Sequence, residues 1–544
     1  MRLTHLKIFR VIISIIFFFF TTILFLDYPD FIKYFSGYIL YLQFFPSFLK
    51  FLVVPGMISG GFLIVLILTV LFGRVYCSTI CPLGTLFDLI SFIRQKSNRR
   101  FRYQFKKPHN ILRYSILIFT SILFLSGFLL LVNLLDPYSN FSRIIYNFIK
   151  PAYIYFNNII SSLTEDSDFY LKPLIFKGWR IEAIIYPIVF FVFICWLAFK
   201  YGRLYCNTIC PVGTFLAIFS RFSLFKITID NIKCQSCGLC EHVCKSNCID
   251  NENKIVDFTR CVACYNCFRA CNLDAFNYEP VLMKIKSKNN YPDLNKRKFI
   301  FNSTAALFFL PITAYAQQKF LGKRPTTIHE NKNTEVIPPG AKSIKHYTSK
   351  CTACNLCVSI CCNQVLQPSF LEFGIAGIMQ PRMDYHKGYC NYECNDCGKV
   401  CPTGAILPLE ASQKKLIQLG KAKFIKKSCI VITEKTECGA CSEHCPTKAV
   451  QMVLNEGLFL PEINEKICVG CGACEYACPT KPYKAIFVEG NPVHLIAESP
   501  IEKNNPIYNK HNFKTPLNET KKIKKIDSKM KNIKQQNSNK DFPF

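Results

Sequence analysis

The chain repeats one cysteine spacing, and no other feature constrains its fold as tightly. Cys234-x2-Cys237-x2-Cys240-x3-Cys244 is followed by Cys261-x2-Cys264-x2-Cys267-x3-Cys271. A loop with a thiol at every third residue can wrap a cubane corner by corner. The fourth Cys, on the helix that follows, then reaches the other cluster. The spacing predicts one 4Fe-4S cluster on Cys234, Cys237, Cys240 and Cys271, and another on Cys261, Cys264, Cys267 and Cys244. Zinc sites show two Cys pairs instead.

Four more runs follow: Cys351, Cys354, Cys357 and Cys361; Cys390, Cys394, Cys397 and Cys401; Cys429, Cys438, Cys441 and Cys445; Cys468, Cys471, Cys474 and Cys478. The same exchange between adjacent runs predicts the quartets Cys351/Cys354/Cys357/Cys401, Cys390/Cys394/Cys397/Cys361, Cys429/Cys438/Cys441/Cys478 and Cys468/Cys471/Cys474/Cys445. The first gaps of the second and third of these runs are irregular, so Cys390 and Cys429 fit the pattern least. The expected complement is six 4Fe-4S clusters, two in 201–293 and four in 318–500. A disulfide framework gives no reason for an x2-x2-x3 spacing to recur. Of the 31 cysteines, Cys195, Cys248 and Cys362 read as small buried residues or spare thiols.

The first 200 residues carry four apolar runs: Leu6–Leu26, Pro55–Val75, Ile111–Leu135 and Ile181–Lys200. Each has about 20 residues, enough to cross a hydrocarbon core of about 30 Å. Residues 35–54 are interrupted by Gln43, Pro46 and Lys50 and read as an interfacial or re-entrant stretch. Arg94, Lys96, Arg99, Arg100, Arg102, Lys106, Lys107 and Arg113 crowd the segment between the second and third runs, whereas 136–180 reads as a loop diluted by acids. By the positive-inside rule the N-terminus and the 77–110 loop face the cytoplasm.

The remaining four cysteines form an internal repeat. Residues 73–85 read GRVYCSTICPLGT and residues 202–214 read GRLYCNTICPVGT. Each copy ends an outward-to-inward run, which predicts two parallel repeats about an axis along the membrane normal. Cys77 and Cys81, like Cys206 and Cys210, stand at i and i+4, on one face of a helical turn. Pro82 and Pro211 then stop or kink the chain. Two such faces would bring four thiols together, as a further redox centre or a disulfide switch; the alternative is a helix-terminating packing motif.

Residues 294–317 pair a basic string, Asn295-Lys-Arg-Lys-Phe-Ile, with an apolar run ending Ala314-Tyr-Ala. This is the layout of an export signal, twin-arginine-like with Lys296 in place of the first Arg, or else a fifth transmembrane segment. Residues 501–544 are Lys- and Asn-rich and read as a disordered basic tail. The formal charge of +30 is offset by clusters at roughly −2 each. No basic stripe sits on a nucleic-acid reading module, and no phosphate or dinucleotide fingerprint is present. The expected fold class is mixed: a four-span helical membrane domain (1–200), then α+β two-cluster ferredoxin-like domains (201–293 and 318–500).

The twin C-x3-C-P motifs with the following two-cluster module resemble the membrane subunit of quinol dehydrogenases in periplasmic nitrate reductase systems (NapH type). The chain from Lys296 on, with Cys468-Val-Gly-Cys-Gly-Ala-Cys-Glu-Tyr-Ala-Cys-Pro, resembles its exported four-cluster ferredoxin partner (NapG type, related to MauM). Residues 1–500 thus look like a fusion of what are usually two chains. Departures are Lys296, Cys362, the fused tail, and Lys245 and Asn272 where Pro often follows the fourth Cys.

The resemblance implies menaquinol oxidation in the bacterial cytoplasmic membrane. Electrons would pass to a periplasmic redox protein from a C-terminal domain on the periplasmic side, with lipid and the quinone pool as partners and no nucleic acid. Competing readings are a maturation or metal- and disulfide-reducing ferredoxin, whose working site is Cys77, Cys81, Cys206 and Cys210, and an anchor for a cytoplasmic oxidoreductase. Asp27, Asp88 and Glu182 are the ionisable candidates near the apolar runs, and His242 and His444 lie inside cluster loops.

Overall fold

A computed structural model describes residues 4–26, 29–97, 102–164, 172–175, 181–280 and 334–499. The export-signal-like segment 294–317, the tail 501–544, Asp27 and the side chain of Glu182 lie outside the described residues.

Two helices are long and apolar enough to cross a membrane: His5–Ile23, within Thr4–Ile23, and Ala183–Tyr201, within Ile181–Tyr201. Both keep an apolar band exposed, including Phe9, Ile12, Phe19, Val189, Val192 and Trp196. Contiguous exposed apolar surface of this kind belongs against lipid or a partner. The expectation of four spans in two repeats is corrected to these two. Pro55-Gly56 and Gly73, at φ +81, confine the second apolar run to a 3-10 turn, Met57–Ser59, and a 12-residue helix, Gly61–Phe72. Ser126-Gly127, with Gly127 at φ +86, divides the third into Asn110–Leu125 and Leu130–Leu135. Glycine adopts this left-handed backbone without penalty, so the helix ends there.

The supposed interfacial stretch forms two helices, Pro29–Tyr41 and Phe44–Val53, hinged at Gln43. Gln43 is buried and spends its amide on the Ile80 carbonyl (3.3 Å) and the Tyr76 hydroxyl (3.3 Å). Part of the supposed loop 136–180 is helical too. Asp136 caps Pro137–Ile144, which continues through a π-helical turn, Ile145–Ile149, into Lys150–Leu163.

The Cys-rich parts are built from short helices and two-stranded antiparallel sheets. Phe225–Ile229 pairs with Phe276–Pro280 and closes the first two-cluster module. In 334–499, Ile417–Phe424 pairs with Ile486–Ile496, and Val450–Asn455 with Leu458–Ile463. Residues up to Glu498 cluster as a single unit.

The two long helices run between the modules. At the start of Thr4–Ile23, Lys7 lies within electrostatic reach of Cys264 and Arg269; past its end, the Phe25 carbonyl accepts from Ser359 Oγ (2.9 Å). The other helix runs the opposite way. Near its start, Tyr186 donates to the Leu134 carbonyl (2.6 Å), and past its end Arg203 N–H donates to the Lys245 carbonyl (2.9 Å). The module 225–280 therefore docks at one end of both helices. The 334–499 module docks at the other, through Arg143 to the carbonyls of Ala353 and Thr352 (3.0 Å each) and Lys150 to that of Ser359 (2.9 Å).

Asp88 ties the first end together. Its carboxylate accepts from Arg203 (2.9 Å), Lys245 (3.4 Å) and Arg10. Burial alone would raise its carboxyl, but these three cations hold it well below the usual range. Asp88→Ala leaves buried cations unpartnered and is expected to cost about 3–5 kcal/mol, read as a lowered unfolding midpoint by circular dichroism.

Candidate functional site

The regular runs share one backbone wrap. In each, the residues either side of the second Cys are left-handed: Ser236 and Gly238, Ala263 and Tyr265, Ala353 and Asn355, Gly470 and Gly472. These kinks curl the loop, and a short helix follows. Cys271, Cys361 and Cys478 occupy the C-caps of those helices, with extended backbone, instead of lying within them. Cys401 does the same in an irregular run, and Cys244 lies one residue past its helix's C-cap, Val243. The irregular runs turn differently: Asn395 has φ −131 and Gly439 φ −129.

The thiols gather across adjacent runs. Cys267 lies in the electrostatic field of Cys264, Cys261 and Cys244. Cys357 is reached by Cys351, Cys354 and Cys401, and Cys361 by Cys390 and Cys394. Cys441 is reached by Cys438 and Cys478, Cys429 by Cys478 and Cys438, and Cys474 by Cys471, Cys468 and Cys445. Cys240 senses Cys234 and Cys237, and Cys271 packs against the same core. Cavities lie where two of these quartets meet. One is lined by Cys244, Cys261, Cys264 and Cys267, the other by Cys429, Cys438, Cys441 and Cys478. Among the described residues no three Cys, His, Asp or Glu close on a single metal ion. Quartets that do not close on one ion suit a multi-iron cluster, in which each thiolate takes a separate iron.

Two cysteines outside the runs stand closer than their spacing suggests. Cys248 Sγ lies 3.5 Å from Cys244 Sγ and lines that quartet's cavity, and exposed Cys362 interacts with Cys394. Cys195 is partly buried on the second long helix. His242 Nδ1 sits 3.3 Å from the Tyr103 carbonyl, and His444 is exposed.

The repeated motifs meet. Cys77, Cys81, Cys206 and Cys210 are all buried, and each lies within electrostatic reach of others in the set. Burial pushes the thiols of Cys81, Cys206 and Cys210 up, Cys206 to about 11. The preceding turns, Tyr76–Thr79 and Tyr205–Ile209, end before the prolines as expected, and the prolines then do more than stop the chain. Pro82 opens the helix Pro82–Ser97, and Pro211 opens Pro211–Ser220, where a missing N–H costs nothing. Cys210 is the cap of its helix, its Sγ accepting from Gly213 N–H (3.3 Å).

The glycine of each motif is a packing requirement. A Cβ on Gly84 would fall 2.1 Å from the Cys77 carbonyl oxygen, and one on Gly213 would fall 2.3 Å from that of Cys206. The motif arginines cross over. Arg74 donates to the Cys206 carbonyl (2.7 Å) and Asn207 Oδ1 (2.8 Å), while Arg203 donates to the carbonyls of Cys77 (2.6 Å) and Gly84 (3.0 Å).

Beside this core lies an apolar cavity of about 300 Å³, lined by Phe44, Phe48, Phe62, Phe124, Val212 and Phe215. Asp136 lines it too, and sequence reasoning missed this residue. Its Oδ2 accepts from Ser139 N–H (2.8 Å) and Oγ (2.7 Å), whereas its buried Oδ1 has no partner. Burial pushes the carboxyl up to about 6. In sequence, Asp136-Pro137 reads as a helix cap, which it also is; nothing there shows that the second oxygen is left over. Of the earlier candidates, Asp88 is consumed by its ion pairs.

A family model described as a 4Fe-4S binding domain matches residues 54–100 and again 184–230, and a 4Fe-4S dicluster domain model matches 436–481. An uncharacterised protein of Methanocaldococcus jannaschii is 26% identical over 231 residues, 42% of this chain and 72% of its own length. The ferredoxin-type protein NapF of Escherichia coli is 25% identical over 136 residues, 25% of this chain and 74% of its own. The ferredoxin-type protein NapH of Haemophilus influenzae is 25% identical over 228 residues, 40% of this chain and 67% of its own. No solved structure matches. The chain is thus similar to ferredoxin-type 4Fe-4S electron-transfer proteins.

The exchange of fourth ligands is testable by double substitution. Cys478→Ala with Cys441→Ala is expected to lose one cluster, about four irons, as Cys478→Ala does alone. Cys478→Ala with Cys474→Ala is expected to lose two. Iron and sulfide assays after anaerobic purification decide it.

Proposed function

We propose that this protein oxidises menaquinol within the bacterial cytoplasmic membrane and passes the electrons to a periplasmic redox protein. The observation that carries the reading is the apolar cavity beside Cys210-Pro211, with one free, buried carboxylate oxygen in its wall. A lipid-soluble hydroquinone needs an apolar enclosure and a base for its phenolic protons. Apolar side chains supply the first. Asp136 Oδ1 supplies the second: the hydroquinone gives two electrons one at a time and one proton with each, and Asp136 takes the protons in succession and releases them to water. A carboxyl near 6 is ionised at neutral pH, so it is ready to accept.

Bound 4Fe-4S clusters supply one-electron acceptance, and the six quartets of the runs are the residues that would hold them. The placement of the modules supports the topology proposed. With 94–113 basic and 225–280 beside it, that end faces the cytoplasm, and 334–499, at the far end of both long helices, faces the periplasm.

In the lipid-reconstituted, anaerobically purified protein, a menaquinol analogue is expected to bleach the cluster absorbance. Asp136→Asn keeps the helix cap and removes the base. It should slow this bleaching about 100-fold while dithionite bleaching stays unchanged. A wild-type preparation that dithionite bleaches and quinol does not would overturn the reading.

A further inference from the structure

We infer that Cys77, Cys81, Cys206 and Cys210 together hold a 4Fe-4S cluster of their own, shared between the two repeats, which carries electrons between the modules at opposite ends of the helices. The inference rests on reading the protein as an electron-transfer chain and adds a centre outside the six cysteine runs.

The first observation is convergence. Two segments 129 residues apart deliver two buried thiols each to one place. All four thiols are free of disulfide bonds. The crossed guanidinium bonds hold the two segments in register, so the site exists only when both repeats are present.

The second is charge. Arg74 is fully buried, its Nε has no partner, and no carboxylate pairs with it among the described residues; its Nη2 lies 3.8 Å from Cys77 Sγ. A buried guanidinium without a counter-ion is strongly disfavoured. Of the groups that can become anionic, the Cys77 thiol touches Arg74, whereas Asp257, beyond the Thr259 carbonyl that Arg74 binds, is paired with Arg260 (2.6 Å). Four thiolates on a 2+ core make a dianion, and that dianion supplies the missing charge. The helices Pro82–Ser97 and Pro211–Ser220 add to this field. Both begin immediately after a motif Cys, so their positive N-terminal ends meet the sulfurs.

The third is position. One contiguous apolar core contains Val262, next to Cys261, all four motif cysteines, Tyr76, Tyr205 and Tyr138, and then Cys354 of the 334–499 module. Arg74 links the motif layer inward to the Thr259 carbonyl (3.2 Å). Outward, Tyr138 lies in the field of Cys354 and Cys401. A helix such as Thr4–Ile23 spans about 30 Å, and tunnelling falls off exponentially with distance. A centre between its ends divides that span. In each transfer one electron enters the site and one leaves, with no bond or proton exchanged.

The test needs no quinol. 57Fe-enriched wild-type protein should hold about 28 irons per chain, against about 24 for the six runs alone, with all of the iron in 4Fe-4S Mössbauer signals. Cys206→Ser and the double Cys77→Ser, Cys206→Ser variant should each lose about four irons and leave the remaining signals unchanged. In proteoliposomes with external dithionite and trapped ferricyanide, the variants should transfer electrons across the lipid at least tenfold more slowly than wild type. About 24 irons in wild type, a Cys77–Cys206 or Cys81–Cys210 disulfide found by thiol counting, or variants that lose the irons yet transfer at the wild-type rate would overturn the inference. The wild-type iron count decides the matter even if the variants fail to fold.

Discussion

Two buried arginines that change sides are the constraint on which the rest of this architecture depends. Arg74 begins in the first repeat and binds the backbone of the second, and Arg203 does the reverse. Arg74 donates to the Cys206 carbonyl, Asn207 Oδ1 and the Thr259 carbonyl, and Arg203 donates to the carbonyls of Cys77 and Gly84 and to Asp88. The backbone packing this demands is so close that Gly84 and Gly213 admit no side chain. Neither repeat can form this layer alone. Once formed, it brings four thiols together, presents two helix starts to them, and provides the floor on which the 225–280 module rests through Thr259 and Lys245.

The charge pattern follows from the same layer. Arg10, Arg203 and Lys245 share one carboxylate, Asp88, and Arg74 has none. Positive charge in excess of carboxylates is costly in a buried site unless something anionic occupies the neighbourhood, and cysteine-bound clusters are anionic. The basic composition of the chain, with 66 Lys and Arg against 36 Asp and Glu, is therefore partly a property of its metal sites.

Much of this was legible in the residues. The x2-x2-x3 spacing is a local geometric rule, and the exchange of the fourth thiol follows from it, so the gathering of Cys357 with Cys401 and of Cys441 with Cys478 could be anticipated. The repeat was legible as identity, and the meeting of its thiols followed from the symmetry. Span counting failed where hydropathy was allowed to outrank backbone. Gly73 and Gly127, both left-handed, shorten runs that are apolar enough to cross. The prolines of C-x3-C-P were legible only as stops, because a Pro after a helical turn fits a stop as well as a start; the cap geometry at Cys210 shows that they serve as both. Asp136 was illegible because its significance lies in what its second oxygen lacks, and Phe44, Phe124 and Phe215 around it come from three separate segments.

The account makes the apolar core between the two modules a conducting path, and the most direct test is to see iron in it. Anomalous scattering at the iron edge, from crystals of anaerobically purified protein, locates each cluster. The account predicts a cluster-sized peak enclosed by Cys77, Cys81, Cys206 and Cys210, lying between the peaks of the 225–280 and 334–499 modules. Peaks confined to those two modules, with only sulfur at the crossed arginines, would contradict it.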